Sequence, residues 1–213
     1  MQPDRIRVLF FDVGGVLLTN GWDHLSRQEA ARVFKLDYAE ITARHDAVFG
    51  VYELGKITLD EYLDTVIFHE PRGFGRDDFK SFMFAQSKEL PELLGWLRAW
   101  KAGSGLRLFT INNEGRELND HRIRKFALRD VFDGFISSCI VGLSKPDPGI
   151  YRLAMNITQC APDECLYFDD RQLLVDVAAR AGMQAYRHTV FSETRTLIES
   201  LKNAKYEHNS RQV

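Results

Sequence analysis

Cysteine is scarce in this 213-residue sequence. Cys139, Cys160 and Cys165 form neither a CxxC pair nor a Cys/His metal spacing. So small and odd a set excludes a disulfide scaffold, fits a reducing compartment and leaves the three as structural residues. HxxxH and HExxH are absent, which argues against a zinc hydrolase, and no GxSxG elbow stands ready for a serine hydrolase. No apolar run approaches the ~18 residues of a membrane span. Nor does one sign of charge dominate. The 28 Lys and Arg against 30 Asp and Glu leave −2 overall, spread along the chain, so neither nucleic acid nor a membrane surface is an expected partner. Met1-Gln2-Pro3-Asp4 runs straight into a charged strand without a signal-peptide core, and the expected location is cytoplasmic.

What is present is an ordinary globular composition, 45% hydrophobic and 27% charged, in a chain long enough for one large domain or a core with a smaller insertion. Short apolar runs suited to buried parallel strands recur at Val8 to Phe11, Leu106 to Ile111, Phe135 to Ser138, Cys165 to Phe168 and Gln184 to Arg187. Helical spacing fills the later gaps, at Arg116 to Phe126, Gly149 to Ile157 and Leu173 to Ala181. This alternation predicts an α/β fold, an open, mostly parallel Rossmann-like sheet with helices on both faces.

The first gap is longer. About 90 residues separate Asp12 from the second strand, whereas a whole βαβ unit needs only ~30. Apolar residues at helical spacing over Leu25 to Phe34, Tyr38 to Tyr52, Thr58 to Ile67 and Arg76 to Ser87 predict a small helical cap inserted after the first strand. Thr58 with Glu61 reads as a capping box, and Phe79, Phe82 and Phe84 as members of the insertion's own core. The expected division is an α/β core domain over 1–19 and 89–213, and a helical cap domain over 20–88. The polar C-terminal stretch KNAKYEHNSRQV is expected to be frayed.

Ligands of open parallel sheets bind at the carboxyl ends of the strands. The residues that emerge there are Asp12, then Asn112 and Asn113, then Lys145, then Asp169 and Asp170. A carboxylate can attack phosphorus to form an aspartyl-phosphate. A hard cation such as Mg²⁺, held by one or two carboxylates, neutralises the developing charge. Lysine adds a point charge and amide donors fix the transferring group. Each element also has a plain alternative. Asp12 before Gly14-Gly15 reads as a turn, and Asp169-Asp170 as a cap of the next helix. Lys145 reads as an exposed charge beside a corner in which Asp147 caps a helix begun by Pro148, and Asn112-Asn113 as an Asx-type turn. Arg116, His121 and Arg122 follow in the same run near the crevice, and a solvent-facing helix accounts for them.

The stretches FFDVGGVLL, TINNEG, SKPDPGIY and YFDDR resemble motifs one to four of the haloacid dehalogenase superfamily, over residues 5 to 190. The DxGGVL opening, the small helical cap after strand one and the DD-type fourth motif are similar to a subgroup that contains sugar-phosphate phosphatases and the N-terminal phosphatase domain of soluble epoxide hydrolases. The resemblance implies that Asp12 is the nucleophile and a Mg²⁺ ligand, that the Gly14 carbonyl and Asp170 bind the same ion, and that Asp169 supports it directly or through water. Lys145 would hold the nucleophile and the phosphate, and the amide of Asn113 would contact the phosphate. Three positions depart from the family pattern. Gly14 stands where phosphatases carry an acid-base aspartate, Asn112 where Ser or Thr is usual, and Leu174 where Asn or Asp is common. Loss of a general acid-base group typically costs ~10²–10⁴-fold in rate, so either an activated leaving group or Asp23, His24 or Glu53 from the cap side has to compensate.

The function this implies is a Mg²⁺-dependent phosphatase that hydrolyses a small phosphorylated metabolite, a sugar phosphate or another activated phosphoester, and works as a monomer or homodimer. The changes at Gly14 and Asn112 keep open a catalytically impaired or regulatory relative that binds metal or a phosphorylated ligand. A 2-haloacid dehalogenase is the third reading. Against it, residues 13 to 26 hold no Arg or Lys to cradle a halide.

Overall fold

The computed structural model describes residues 3–210, with side chains described for residues 4–201. The fraying expected of 202–213 lies outside the described side chains. Five strands, β1 (Val8–Phe11), β2 (Arg107–Asn112), β3 (Gly134–Ser137), β4 (Cys165–Asp169) and β5 (Gln184–Arg187), form one sheet in the order β3-β2-β1-β4-β5. Every pairing is parallel, in agreement with the fold class read from the sequence.

The central strand shows why. All four residues of β1 are buried, and alternation sends successive side chains to opposite faces. Leu9 and Phe11 enter one hydrophobic cluster and Val8 and Phe10 the other. Phe11 stacks on Phe168 of β4 at 4.9 Å between ring centroids.

Among the described residues, ten α-helices accompany the sheet. Between β1 and β2 lie α1 (His24–Phe34), α2 (Tyr38–Glu53), α3 (Leu59–Val66), α4 (Arg76–Ala85) and α5 (Pro91–Lys101). Then α6 (Arg116–Lys125) precedes β3, α7 (Ser138–Val141) and α8 (Pro148–Thr158) precede β4, α9 (Gln172–Arg180) precedes β5, and α10 (Phe191–Ser210) ends the described chain. The Thr58/Glu61 capping box at α3 is formed in both directions, and Asp147 accepts from the Gly149 N–H where Pro148 opens α8. None of the helices is long and apolar enough to cross a membrane among the described residues.

Helices α1 to α4 supply most of a third hydrophobic cluster, which Leu118 of α6 joins, with Trp22, Tyr52, Tyr62 and Phe79 buried in it and Phe82 and Phe84 packed against it. Phe84 also stacks on His121 of α6 at 4.6 Å. The cysteines are all free.

Candidate active site

At β1 the chain order reverses: β2 and β3 lie to one side of it, β4 and β5 to the other. Such a switch point is where the loops at the strand ends part and leave a crevice. The register Phe11↔Phe168 places Asp12 next to Asp169, and the Asp12 N–H continues the ladder to the Phe168 carbonyl at 2.8 Å. A cavity of about 470 Å³ opens above these strand ends, lined there by Asp12, Gly14, Asn112, Asn113, Lys145 and Asp170. Its other wall belongs largely to the helical insertion, with Asn20, Trp22, Asp23, Phe49, Tyr52 and Glu53.

Lys145 organises the floor. Its buried ammonium lies 2.8 Å from Asp12 Oδ1, 2.9 Å from Asp169 Oδ2 and 3.0 Å from the Tyr167 hydroxyl. An ammonium has three donors, so Lys145 holds the carboxylate of Asp12 with no N–H to spare and would act on a phosphate through its charge. Tyr167 donates to Asp169, and the Arg171 backbone N–H reaches Asp169 Oδ1 at 2.9 Å. Burial raises the proton affinity of Asp169, but Lys145, Tyr167 and that N–H outweigh it and hold its carboxyl below the usual range. Asp169 is therefore a fully bonded anchor behind the cavity surface. Its neighbour Asp170 is pushed the other way by burial and then by the charges of Asp12 and Asp169. Asp12 is also raised, by burial ahead of its partners. Its Oδ1 accepts from the Val13 N–H at 2.8 Å as well, so the turn contact exists alongside the ion pair.

The donor set suits a hard cation. Asp12, Asp169 and Asp170 each offer an oxygen within 4.8 Å of the others. Three carboxylates face one buried ammonium and the guanidinium of Arg171, which stays 3.8 to 3.9 Å off and 57% exposed. That excess of buried negative charge, and oxygen ligands only, fit Mg²⁺. The Gly14 carbonyl accepts no hydrogen bond from the described residues. Next to it Gly15 sits at φ +74, where a Cβ would overlap the Asp170 carboxylate, so only glycine lets this loop come so close.

The two asparagines divide their work in a way the sequence did not indicate. Asn113 clasps the main chain of Lys145, donating to its carbonyl and accepting from its N–H, both at 2.8 Å. One side-chain N–H and the side-chain oxygen are thus used in positioning Lys145, which leaves the second amide N–H and the backbone N–H for a ligand. Asn112 joins a buried network in which Ser137 Oγ lies 3.0 Å from Asn112 Oδ1 and 2.8 Å from Asn119 Oδ1. Neither side chain forms the local Asx turn that was the pair's plain alternative.

One expectation is corrected. Arg122 does not face solvent. It is buried, lines the cavity and pairs with Glu114 at 2.6 Å, while its other nitrogen donates to the Thr19 carbonyl at 2.5 Å. Arg116 is exposed, as a solvent-facing helix implies. Of the cap-side proton donors named from sequence, Asp23 and Glu53 line the cavity, whereas His24 is exposed and does not. Leu174 is buried among core residues away from the cavity. Sequence reasoning passed over Tyr167, Glu114 and Asn20. Tyr167 was open to discovery, because it lies two residues before Asp169 and so on the same strand face.

A sequence model of the haloacid dehalogenase-like hydrolases matches residues 6–182. Bifunctional epoxide hydrolase 2 of Sus scrofa is 46% identical over 184 residues, which cover 78% of this chain and 33% of that protein. Phosphatase MT3486 of Mycobacterium tuberculosis (strain CDC 1551 / Oshkosh) is 38% identical over 83 residues, covering 38% of each. The chain therefore spans only about a third of the length of these curated relatives. Among solved structures, a HAD family enzyme from Bacteroides thetaiotaomicron in complex with magnesium and inorganic phosphate superposes with a TM-score of 0.73 at 20% identity, over 86% of this chain and 94% of that one.

Proposed function

The chain belongs to the haloacid dehalogenase-like hydrolases, and on that premise we propose that it is a Mg²⁺-dependent phosphatase acting on a small phosphorylated metabolite through an aspartyl-phosphate on Asp12. The observation that carries this reading is the buried Lys145–Asp12 pair at 2.8 Å, set against Asp169 and Asp170 at the end of the adjacent strand. The phosphatase among its relatives, and the neighbour that binds magnesium and inorganic phosphate, support the same chemistry.

Asp12 attacks phosphorus with the carboxylate oxygen that Lys145 leaves free. Lys145 orients that carboxylate and offsets charge on the transferring group. The backbone N–H of Asn113 and the remaining amide hydrogen of Asn112 donate to phosphate oxygens. Asp12, Asp170 and the Gly14 carbonyl would hold Mg²⁺, with Asp169 in support, and the ion would supply neutralisation of the phosphate's negative charge. Residues 20–88 act as a cap over a core of 1–19 and 89–213, shielding the reaction from bulk water and selecting the leaving group through Trp22, Phe49 and Tyr52. Water then hydrolyses the aspartyl-phosphate and restores Asp12.

Phosphate release from a panel of esters, measured with Mg²⁺, with EDTA and with Asp12→Asn, tests the proposal. The expected result is loss under both treatments, on the order of 10⁴-fold or more for Asp12→Asn. Release that survives EDTA overturns the role of the ion, and release from no ester favours the ligand-binding alternative. Halide release from a 2-haloacid without metal would point to a dehalogenase.

A further inference from the structure

Asn20 occupies the space above Gly14: its Oδ1 lies 2.7 Å from the point where a Cβ on Gly14 would stand. An amide there cannot replace the acid-base aspartate, so a proton for the leaving group has to come from elsewhere on the cavity wall. Three carboxyls besides Asp12 and Asp170 line the cavity: Asp23, Glu53 and Glu114. Asp23 caps α1, accepting from both the N–H and the hydroxyl of Ser26 at 2.9 Å. Glu114 is buried in its ion pair with Arg122. Each of these two carboxyls is therefore committed to a structural contact.

Glu53 differs from both. It is the last residue of α2, and its carboxyl makes no hydrogen bond or ion pair with a described residue. Its backbone is nonetheless pinned. Ser138 Oγ donates to the Glu53 carbonyl at 2.7 Å, and the same hydroxyl accepts from the Glu114 N–H at 2.9 Å. Tyr52, one residue earlier, is fully buried against Gly115, whose missing side chain makes room for the ring. The carboxyl is held over the cavity while its oxygens remain available.

We propose that Glu53 is the general acid-base residue of this enzyme, supplied by the insertion in place of the aspartate absent at Gly14. The proposal rests on the phosphatase reading above. As the bond from Asp12 to phosphorus forms, the bond from phosphorus to the leaving oxygen breaks, and that oxygen keeps the electron pair and takes the proton of Glu53. The Glu53 carboxylate then removes a proton from water as the water oxygen attacks phosphorus. The bond to Asp12 breaks, inorganic phosphate departs, and both carboxyls return to their starting states. Burial first, then the charge of Glu114 after β2 and that of Asp12 after β1, push the Glu53 carboxyl up to about 7, against the pull of Arg171 before α9 and Lys145 before α8. A group that ionises there can serve both steps near neutral pH.

The test compares kcat/KM of wild type and Glu53→Gln, in Mg²⁺, on glycerol phosphate and on p-nitrophenyl phosphate, whose acidic leaving group needs no proton. Glu53→Gln is expected to lose about 10²–10⁴-fold on the alkyl ester and to stay within a few-fold on the aryl ester, which also shows that the variant folds. Wild-type kcat/KM for the alkyl ester should fall as pH rises through about 7, and this limb should vanish in the variant. Equal losses on both esters, or none on either, overturn the assignment. Wild type inactive on both esters overturns the phosphatase reading itself. A preference for activated esters, expected from Gly14, then belongs to the variant and not to the wild type.

Discussion

The floor and the wall of the cavity are built on opposite plans. Around Lys145, at the ends of β1 and β4, the groups are bonded to one another: Lys145 spends all three donors, Asp169 is bonded at both oxygens, and Asn113 is closed onto the Lys145 main chain. In the cavity wall, α2 presents Glu53 with no partner among the described residues, alongside the rings of Trp22, Phe49 and Tyr52. On the proposed reading, the phosphate common to all substrates would meet a site fixed in advance, which removes reorganisation from the chemical step. The variable part would meet a wall whose carboxyl can exchange a proton.

Removing the clamp of the floor should have the largest effect. In Lys145→Met the carboxylates of Asp12 and Asp169 face each other without a cation, and breaking a buried ion pair on one side costs about 3–5 kcal/mol. Chemical denaturation of the two proteins measures this, and a cost below about 1 kcal/mol would mean that the floor is less tightly coupled than its distances imply. Phosphate release should fall with it, since Asp12 loses its orientation.

A change in the wall should cost less. A Cβ at Gly115 would overlap the Tyr52 ring, and overpacking of this kind costs about 1–3 kcal/mol. Gly115→Ala should therefore lower the unfolding free energy by that amount and raise KM more than it lowers kcat, because in the proposed reaction the displaced ring would border the leaving group and not Asp12. A kcat loss as deep as that of Lys145→Met would erase the distinction between the two regions.

The smallest effect lies behind the wall. His45 is buried and bonded to the Tyr62 hydroxyl at 2.8 Å, which also accepts from Trp22. Burial, then the charge of Arg27, lowers its pKa from 6.5 to about 4. The unfolded chain binds this proton at a higher pH than the folded one, so the stability His45 contributes is full above 6.5 and is lost as pH falls towards 4. Between pH 7 and pH 5.5 the loss should be about 1 kcal/mol. Thermal melts at the two pH values should show it in wild type and not in His45→Gln; equal shifts in both would place the sensitivity elsewhere.

Much of this was legible in one dimension. The strands over Val8 to Phe11 and Gln184 to Arg187 match the sequence reading residue for residue, and most helices differ by one or two positions at an end, where terminal turns are least well defined. The capping box at Thr58 was readable because both partners lie within one turn. The strand-end residues Asp12, Lys145 and Asp170 were readable because parallel strands open their loops at a common edge. Arg122 was misjudged for the opposite reason. Its charge and its helical spacing suit a solvated face, and only the placement of Glu114 and Thr19 around it makes burial tolerable.

By itself the sequence determined the parallel sheet, the long insertion and the set of carboxylates, lysine and amides delivered to one edge, since hydrophobic period and strand direction are local properties of the chain. The tertiary structure decided which of those groups are already bonded and which are free. Asp23, Glu53 and Glu114 are equal candidates as letters. They separate once Ser26 has engaged the first, Arg122 the third and none of the described residues the second. A proton's location depends on burial and on charges brought from distant parts of the chain, and those distances exist only after folding.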